Sequence, residues 1–152
     1  MENLDIRDMK EEDLDRIYEI EKSCFSDYWS KDLILSSFRQ NYNFIKVLTF
    51  NELIVAYINF NIIGEDAELM SIAVLGEYRN RRYASRLMEV MFKICEENKV
   101  EKIFLELRES NLLAYKLYRE HGFLNMGIRK EYYTNPVENA VLMYKQLTDC
   151  AG

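Results

Sequence analysis

Glycine and proline are scarce: the 152 residues hold five glycines, none adjacent to another, and one proline. Neither G-x-x-x-x-G-K nor G-x-G-x-x-G occurs, which excludes the glycine-rich loops that cradle nucleotide phosphates. Cysteine is equally thin. Cys24, Cys95 and Cys150 are odd in number and scattered, so neither a disulfide framework nor a C-x-x-C metal clip is readable, and no metal is expected. No apolar run approaches twenty residues and no signal peptide is recognisable, so a cytoplasmic chain without membrane contact is expected. The 20 basic residues against 26 acidic leave a formal charge of -6, which argues against unspecific nucleic-acid binding and suits a cationic substrate. The single histidine, His121, precedes Gly122 and reads as a charge at a helix C-terminus with no catalytic part.

What is present is apolar and periodic. With 49% hydrophobic residues the chain supports one full core, and a single domain over 1–148 with a short tail over 149–152 is expected. Leu4 to Met9 reads as a strand, and Glu11, Glu12 and Asp13 suit the start of a helix whose face carries Leu14, Ile17, Tyr18, Glu21, Cys24 and Phe25. Cys24 is then core, because no histidine or basic cluster adjoins it in sequence. Ser30 caps a second helix through Leu33, Ile34 and Phe38, and Trp29 before it is a core plug or a wall of a substrate groove. Phe44 to Phe50 and Leu53 to Phe60 form a hairpin about Asn51 and Glu52, which Ala67 to Leu75 extends. Leu87, Met88, Met91, Phe92 and Cys95 make one face of a long helix. Phe123 to Tyr133 and Ala140 to Leu147 close the sheet around Asn135 and Pro136. The order gives an α/β fold, a mixed, mostly antiparallel sheet of about six to seven strands with helices on both faces.

Two stretches carry chemistry. Ile103, Leu105 and Leu107 alternate with Phe104, Glu106 and Arg108, so a carboxylate sits mid-strand where a buried sheet prefers an aliphatic side chain. The helix after it enters through Ser110 or Asn111 and stops at Gly122, and Asn111, Ala114 and Tyr118 share one stripe. Read structurally, Glu106 is a salt-bridge partner of Arg108 or Lys102, and Tyr118 a core phenol. The second stretch, Gly76 to Ala84, is a polar turn opening the long helix. Unpaired N–H groups at the positive end of the dipole, with Arg79, Arg81, Arg82 and Arg86, make either an anion site suited to phosphate or a solvated basic helix start.

Ser71-Ile72-Ala73-Val74 followed by Tyr78-Arg79-Asn80-Arg81-Arg82-Tyr83-Ala84 resembles the acetyl-CoA motif of the GNAT N-acetyltransferases. Asn111, Ala114, Leu117, Tyr118, Gly122 and Phe123 resemble their second signature. More narrowly, Leu105-Glu106-Leu107-Arg108 with Ser110-Asn111, then Arg129, Tyr132-Tyr133, Glu138, Ala140 and Met143, resembles the RimI branch, the ribosomal-protein N-terminal alanine acetyltransferases. The match is specific from Ala67 to Tyr144, and Trp29-Ser30 anchors it upstream.

The resemblance implies acetyl-CoA as co-substrate, held by Ile72, Ala73, Val74, Arg79, Arg81, Arg82, Tyr83, Ala84, Asn111 and Ala114. It implies Glu106 as general base, Tyr118 as general acid, and a bulge around Ile72 to Val74 whose free N–H meets the developing oxyanion. The implied acceptor is the N-terminal segment of a small-subunit ribosomal protein beginning with alanine. Trp29, Tyr132, Tyr133 and Glu138 are candidates for the acceptor groove, with Glu138 attracting a basic peptide or lying in a solvated hairpin tip. Direct nucleic-acid binding is not expected; monomer and weak dimer stay open. One departure matters: Arg82 replaces the first glycine of the pyrophosphate loop. The N–H cradle survives if Arg82 takes ordinary α dihedrals with its side chain outward, and retained cofactor binding is the expectation. Gly76 in place of proline and Asn139 in place of aspartate are lesser departures. A GNAT acetyltransferase for another amine, lysine or a small metabolite, and a non-catalytic binding module impaired by Arg82, remain alternatives.

Overall fold

The computed structural model describes residues 3–147; Cys150, the expected domain limit at 148 and the tail over 149–152 lie outside them. β1 (Leu4–Asp8) leads through a 3-10 turn to α1 (Leu14–Cys24) and α2 (Lys31–Phe38). Then come β2 (Asn43–Phe50), β3 (Leu53–Ile63) and β4 (Asp66–Val74). α3 (Tyr83–Glu97), β5 (Lys102–Arg108), α4 (Leu112–Glu120), β6 (Leu124–Thr134) and β7 (Val137–Gln146) complete the described residues. The strands form one seven-stranded sheet in the order β1-β2-β3-β4-β5-β7-β6, antiparallel except where β4 lies beside β5.

Local chemistry sets these limits. Asn51 and Glu52 both take positive φ, 50° and 73°, the mirror-type turn whose twist matches the paired strands. Ser30 starts α2 by accepting the Leu33 N–H at 3.2 Å. Of the two candidate caps for α4 the structure uses Asn111, whose Oδ1 accepts the Ala114 N–H at 3.2 Å. On one face of the sheet, Ile17 and Ile20 of α1 and Ile34 of α2 pack on Val47, Tyr57 and Ala73. On the other, Leu87, Met88 and Met91 of α3, Tyr118 of α4 and Phe123 pack on Val55, Ile58, Leu105 and Met143. A fully buried side chain such as Phe123 contributes about 1.5–3 kcal/mol.

Three expectations need correction. The bulge in β4 falls at Met70: the register passes from Phe60↔Leu69 to Asn59↔Ser71, while Ile72, Ala73 and Val74 pair regularly with β3. The extra residue sits just past Glu68, where β4 loses its second neighbour and one residue is inserted at least cost to the ladder. Arg82 is not α-helical; it caps α3 in the left-handed region, φ 63° and ψ 22°, the conformation a glycine adopts without strain. His121 is no helix-end charge. Its Nε2 shares a 2.9 Å hydrogen bond with Ser85 Oγ, and burial lowers its pKa, leaving the ring neutral at pH 7. The cation at that terminus is Lys145, whose Nζ donates to the His121 carbonyl at 2.8 Å.

Gly122 ends α4 at φ 90°, and a Cβ there would lie 2.6 Å from Lys145 Nζ. Gly122→Ala is therefore expected to lower stability by about 1–2 kcal/mol in urea unfolding, the cost of a left-handed alanine plus a displaced ammonium.

Candidate active site

β4 and β5 pair only through Asp66↔Lys102, Ala67↔Ile103 and Glu68↔Phe104, then part. The wedge between them opens into a cavity of about 420 Å³. Glu106, on the β5 side of the wedge, and Tyr118, from α4, both line it. So do Ile72, Asn111, Ala114, Trp29 and Tyr133. The alternation of β5 explains the arrangement: Leu105 and Leu107 are buried toward α3 and α4, which turns Glu106 and Arg108 to the face that α1 and α2 leave partly uncovered.

Glu106 is half-buried, and neither expected partner holds it. Arg129 Nη1 lies 3.3 Å from its Oε1, and the Tyr132 phenol is raised above its ordinary value, first by the Glu106 charge and then by burial. Arg108 is engaged elsewhere. Its guanidinium binds Asp27 in the α1–α2 connection and Glu138 at 3.0 Å, donates to the Pro136 carbonyl at 2.9 Å and the Asn135 carbonyl at 3.2 Å, and lies 4.5 Å from the Tyr133 ring centroid. Glu138 is therefore neither free for a basic substrate nor simply solvated. The Ser110 side chain, then Arg108, hold its carboxyl below the usual range, and the Ser110 N–H donates to it at 2.8 Å.

Tyr118 is nine-tenths buried, yet its hydroxyl makes no hydrogen bond to another described residue and borders the cavity. Burial, with a smaller contribution from Tyr133, raises its pKa well above the ordinary phenol value, so it keeps its proton throughout the neutral range. Asn111 spends its carboxamide oxygen on the cap and retains its NH2. Trp29 packs against the α1–α2 cluster and also lines the cavity.

The loop before α3 is less uniform than its arginines suggest. Arg79 turns back to donate from Nε to the Val74 carbonyl at 3.1 Å, and its Nη2 lies 3.7 Å from Cys24 Sγ. Cys24 is thus half-buried at the cavity wall beside a cation, not a core thiol remote from basic groups. Arg81 lies over Tyr78 and Phe50, 5.1 Å and 5.7 Å from their centroids. Tyr83 is a core side chain, so only its backbone faces the turn, and Ala73 is buried on the α1–α2 face. Arg82 makes no side-chain cap, which leaves the first N–H groups of α3 unclaimed.

Sequence reasoning passed over Glu21. This buried carboxylate accepts the Trp29 N–H at 2.9 Å, the Tyr57 hydroxyl and the Ser71 hydroxyl at 3.3 Å, and borders the cavity. An acidic residue on an otherwise apolar helix stripe was the available signal. Burial, then the Glu21 charge, pushes the Tyr57 phenol far above its ordinary value.

Residues 14–123 match the model of the acetyltransferase (GNAT) family. A relative from Bacillus subtilis is 33% identical over 145 residues, covering 95% of this chain and 96% of its own length. The [ribosomal protein bS18]-alanine N-acetyltransferase of Haemophilus ducreyi is 32% identical over 141 residues, covering 91% of this chain and 97% of its own. The crystal structure of the ribosomal-protein-S18-alanine N-acetyltransferase from Escherichia coli superposes with a TM-score of 0.90 at 27% identity, over 97% of this chain and 96% of that one.

Two measurements follow from the site's electrostatics. Tyr57→Phe leaves a buried carboxylate one donor short and is expected to cost about 1–3 kcal/mol in urea unfolding. Burial, then the Glu106 charge, pushes the Tyr133 phenol up to about 12. Above about pH 10 the unfolded chain releases a proton that native Tyr133 retains, so stability falls as pH rises from there to about 12. In Tyr133→Phe that decline should be shallower by up to one proton's worth of slope.

Proposed function

The chain belongs to the acetyltransferase (GNAT) family and is an acyltransferase, and from that premise we propose that it moves the acetyl group of acetyl-CoA to the N-terminal α-amino group of a protein, specifically a ribosomal protein beginning with alanine. The observation that carries the reading is a carboxylate, Glu106, and a protonated phenol, Tyr118, opening into one cavity where β4 and β5 part. The acceptor class rests on the names of the relatives and on the chain's formal charge of -6.

The residues present fit acetyl-CoA. Asn80 and Arg82 take the left-handed dihedrals, φ 64° and 63°, that turn the chain into α3, and the unclaimed N–H groups of its first turn point outward at the positive end of the dipole. Tyr83 and Ala84 would hold phosphate by backbone N–H, with Arg81 and Arg82 adding charge, while Arg79 braces the end of β4. Ile72, Ala73 and Val74 offer the edge of β4 that β5 leaves open, and Asn111 and Ala114 flank the pantetheine arm. Bound there, acetyl-CoA supplies a thioester carbonyl activated for attack by an amine.

The rest of the chemistry belongs to side chains of this chain. An N-terminal ammonium has a reference pKa of about 7.7–8.0 and must lose its proton before it attacks; Glu106 takes it. β4 N–H groups near the Met70 bulge face the charge that grows on the carbonyl oxygen. Tyr118 gives its phenolic proton to the departing sulfur, and the second proton that the nitrogen loses as the amide forms restores the phenol. Trp29, Tyr132 and Tyr133 line the acceptor's approach, and Glu138 acts through Arg108 as part of that wall.

Calorimetric titration of acetyl-CoA into the wild type and Arg82→Gly tests the cofactor site. Binding near 1 μM, about 8 kcal/mol, is expected in the wild type, with the glycine variant within about threefold. A wild type that does not bind, rescued by the glycine, sinks the enzyme reading in favour of an abandoned cofactor site. With binding in hand, an alanine-initiated peptide should be acetylated and its N-blocked, lysine-containing version should not. Glu106→Gln and Tyr118→Phe should each lower kcat/KM by about 10²–10⁴.

A further inference from the structure

In the free protein a cation already occupies Glu106. Arg129 Nη1 lies 3.3 Å from Oε1, while 52% of the Arg129 side chain is open to solvent. An irregularity in β6 brings it there. Arg129 pairs with Ala140 and Tyr133 with Glu138, so residues 130–132 stand opposite Asn139 alone. Glu131 takes φ 50° at that point, and its N–H is fastened to Asn139 Oδ1 at 2.9 Å. On a regular strand positions 129 and 132 would point to opposite faces. Here both come beside one carboxylate: Arg129 as an ion pair, and Tyr132 near enough that the Glu106 charge raises its phenol, with the guanidinium 4.9 Å from the Tyr132 ring centroid. From β4, Glu68 adds a second negative charge to the same surroundings, and its carboxyl is raised by burial and then by Glu106. Glu106, Glu68 and Arg129 also border one smaller hollow of about 170 Å³ that adjoins the main cavity at Glu106.

We propose that Arg129 is an acceptor-mimicking gate: its guanidinium holds the place on Glu106 that the acceptor's ammonium takes, and the acceptor enters by displacing it. The proposal rests on the reading of Glu106 as the base. A buried ion pair there would block the site, whereas an exposed one is readily exchanged. Displacement rewards a cation alone. A free amino terminus recovers the charge interaction that Arg129 gives up, and an acetylated terminus does not, so the same guanidinium returns to Glu106 after transfer and favours departure of the neutral product. Arg129 is in this sense a specificity-determining residue, and it moves no proton.

The test is titration of an alanine-initiated peptide and its Nα-acetylated twin into the CoA-loaded wild type, Arg129→Gln and Arg129→Lys. The free-amine peptide should bind Arg129→Gln about two- to fivefold tighter than the wild type, as expected for an exposed pair, with Arg129→Lys between them and the acetylated twin unchanged. Equal or weaker binding of the free amine to Arg129→Gln, or an identical response of the two peptides, overturns the gate. The base assignment fails by a different sign, undiminished acetylation by Glu106→Gln, so the two readings are judged separately.

Discussion

After Glu68 and Phe104, β4 and β5 share no further rung, and this interruption of an otherwise continuous ladder governs the rest of the structure. A sheet that stayed closed would bury Glu106 between neighbours and leave no cavity. Because it opens, backbone groups of β4 lose partners on one side, the bulge at Met70 becomes tolerable, and side chains from both layers of helices meet in one space. Tyr118 arrives from the α4 layer and Trp29 from the α1–α2 layer. The two hydrophobic clusters hold the sheet from opposite faces, so the wedge is set by packing on both sides.

Against this rigid frame the polar groups divide by task. Glu21 is buried, pairs with no cation among the described residues, and accepts three hydrogen bonds that tie α1 to β3, β4 and the Trp29 backbone. Glu106 is half-buried, with a largely solvent-open guanidinium beside it. The buried carboxylate is costly to disturb, whereas the half-buried one, paired with a solvent-open cation, alters its partners at lower cost.

Much of the fold was legible in the sequence because its signals are local and periodic. The period-two run of β5, the Ser30 cap, the Asn51-Glu52 hairpin and the Gly122 stop each depend on a few adjacent residues. What escaped is long-range. Arg129 reaches Glu106 through an irregular β6, Arg108 reaches back to Asp27, and the Glu21 network joins three elements; no spacing along the chain encodes them. Arg82 is the instructive middle case. Its departure from glycine was visible, but its left-handed dihedrals were not, since the surrounding turn imposes them against the preference of the residue.

Arg108 joins the α1–α2 connection to the β6–β7 turn through two carboxylates and two backbone carbonyls that converge on a single planar group. Beside the cavity, which Asp27 and Arg108 both line, the separation of these two connections is thus fixed by the span of one guanidinium, as a spacer of invariant length fixes the gap between two plates. A lysine ammonium, a single point with three donors, has no comparable span. That separation is a dimension inherited from the shape of one functional group, and loops of quite different sequence could be hung from it without changing how far apart they stand.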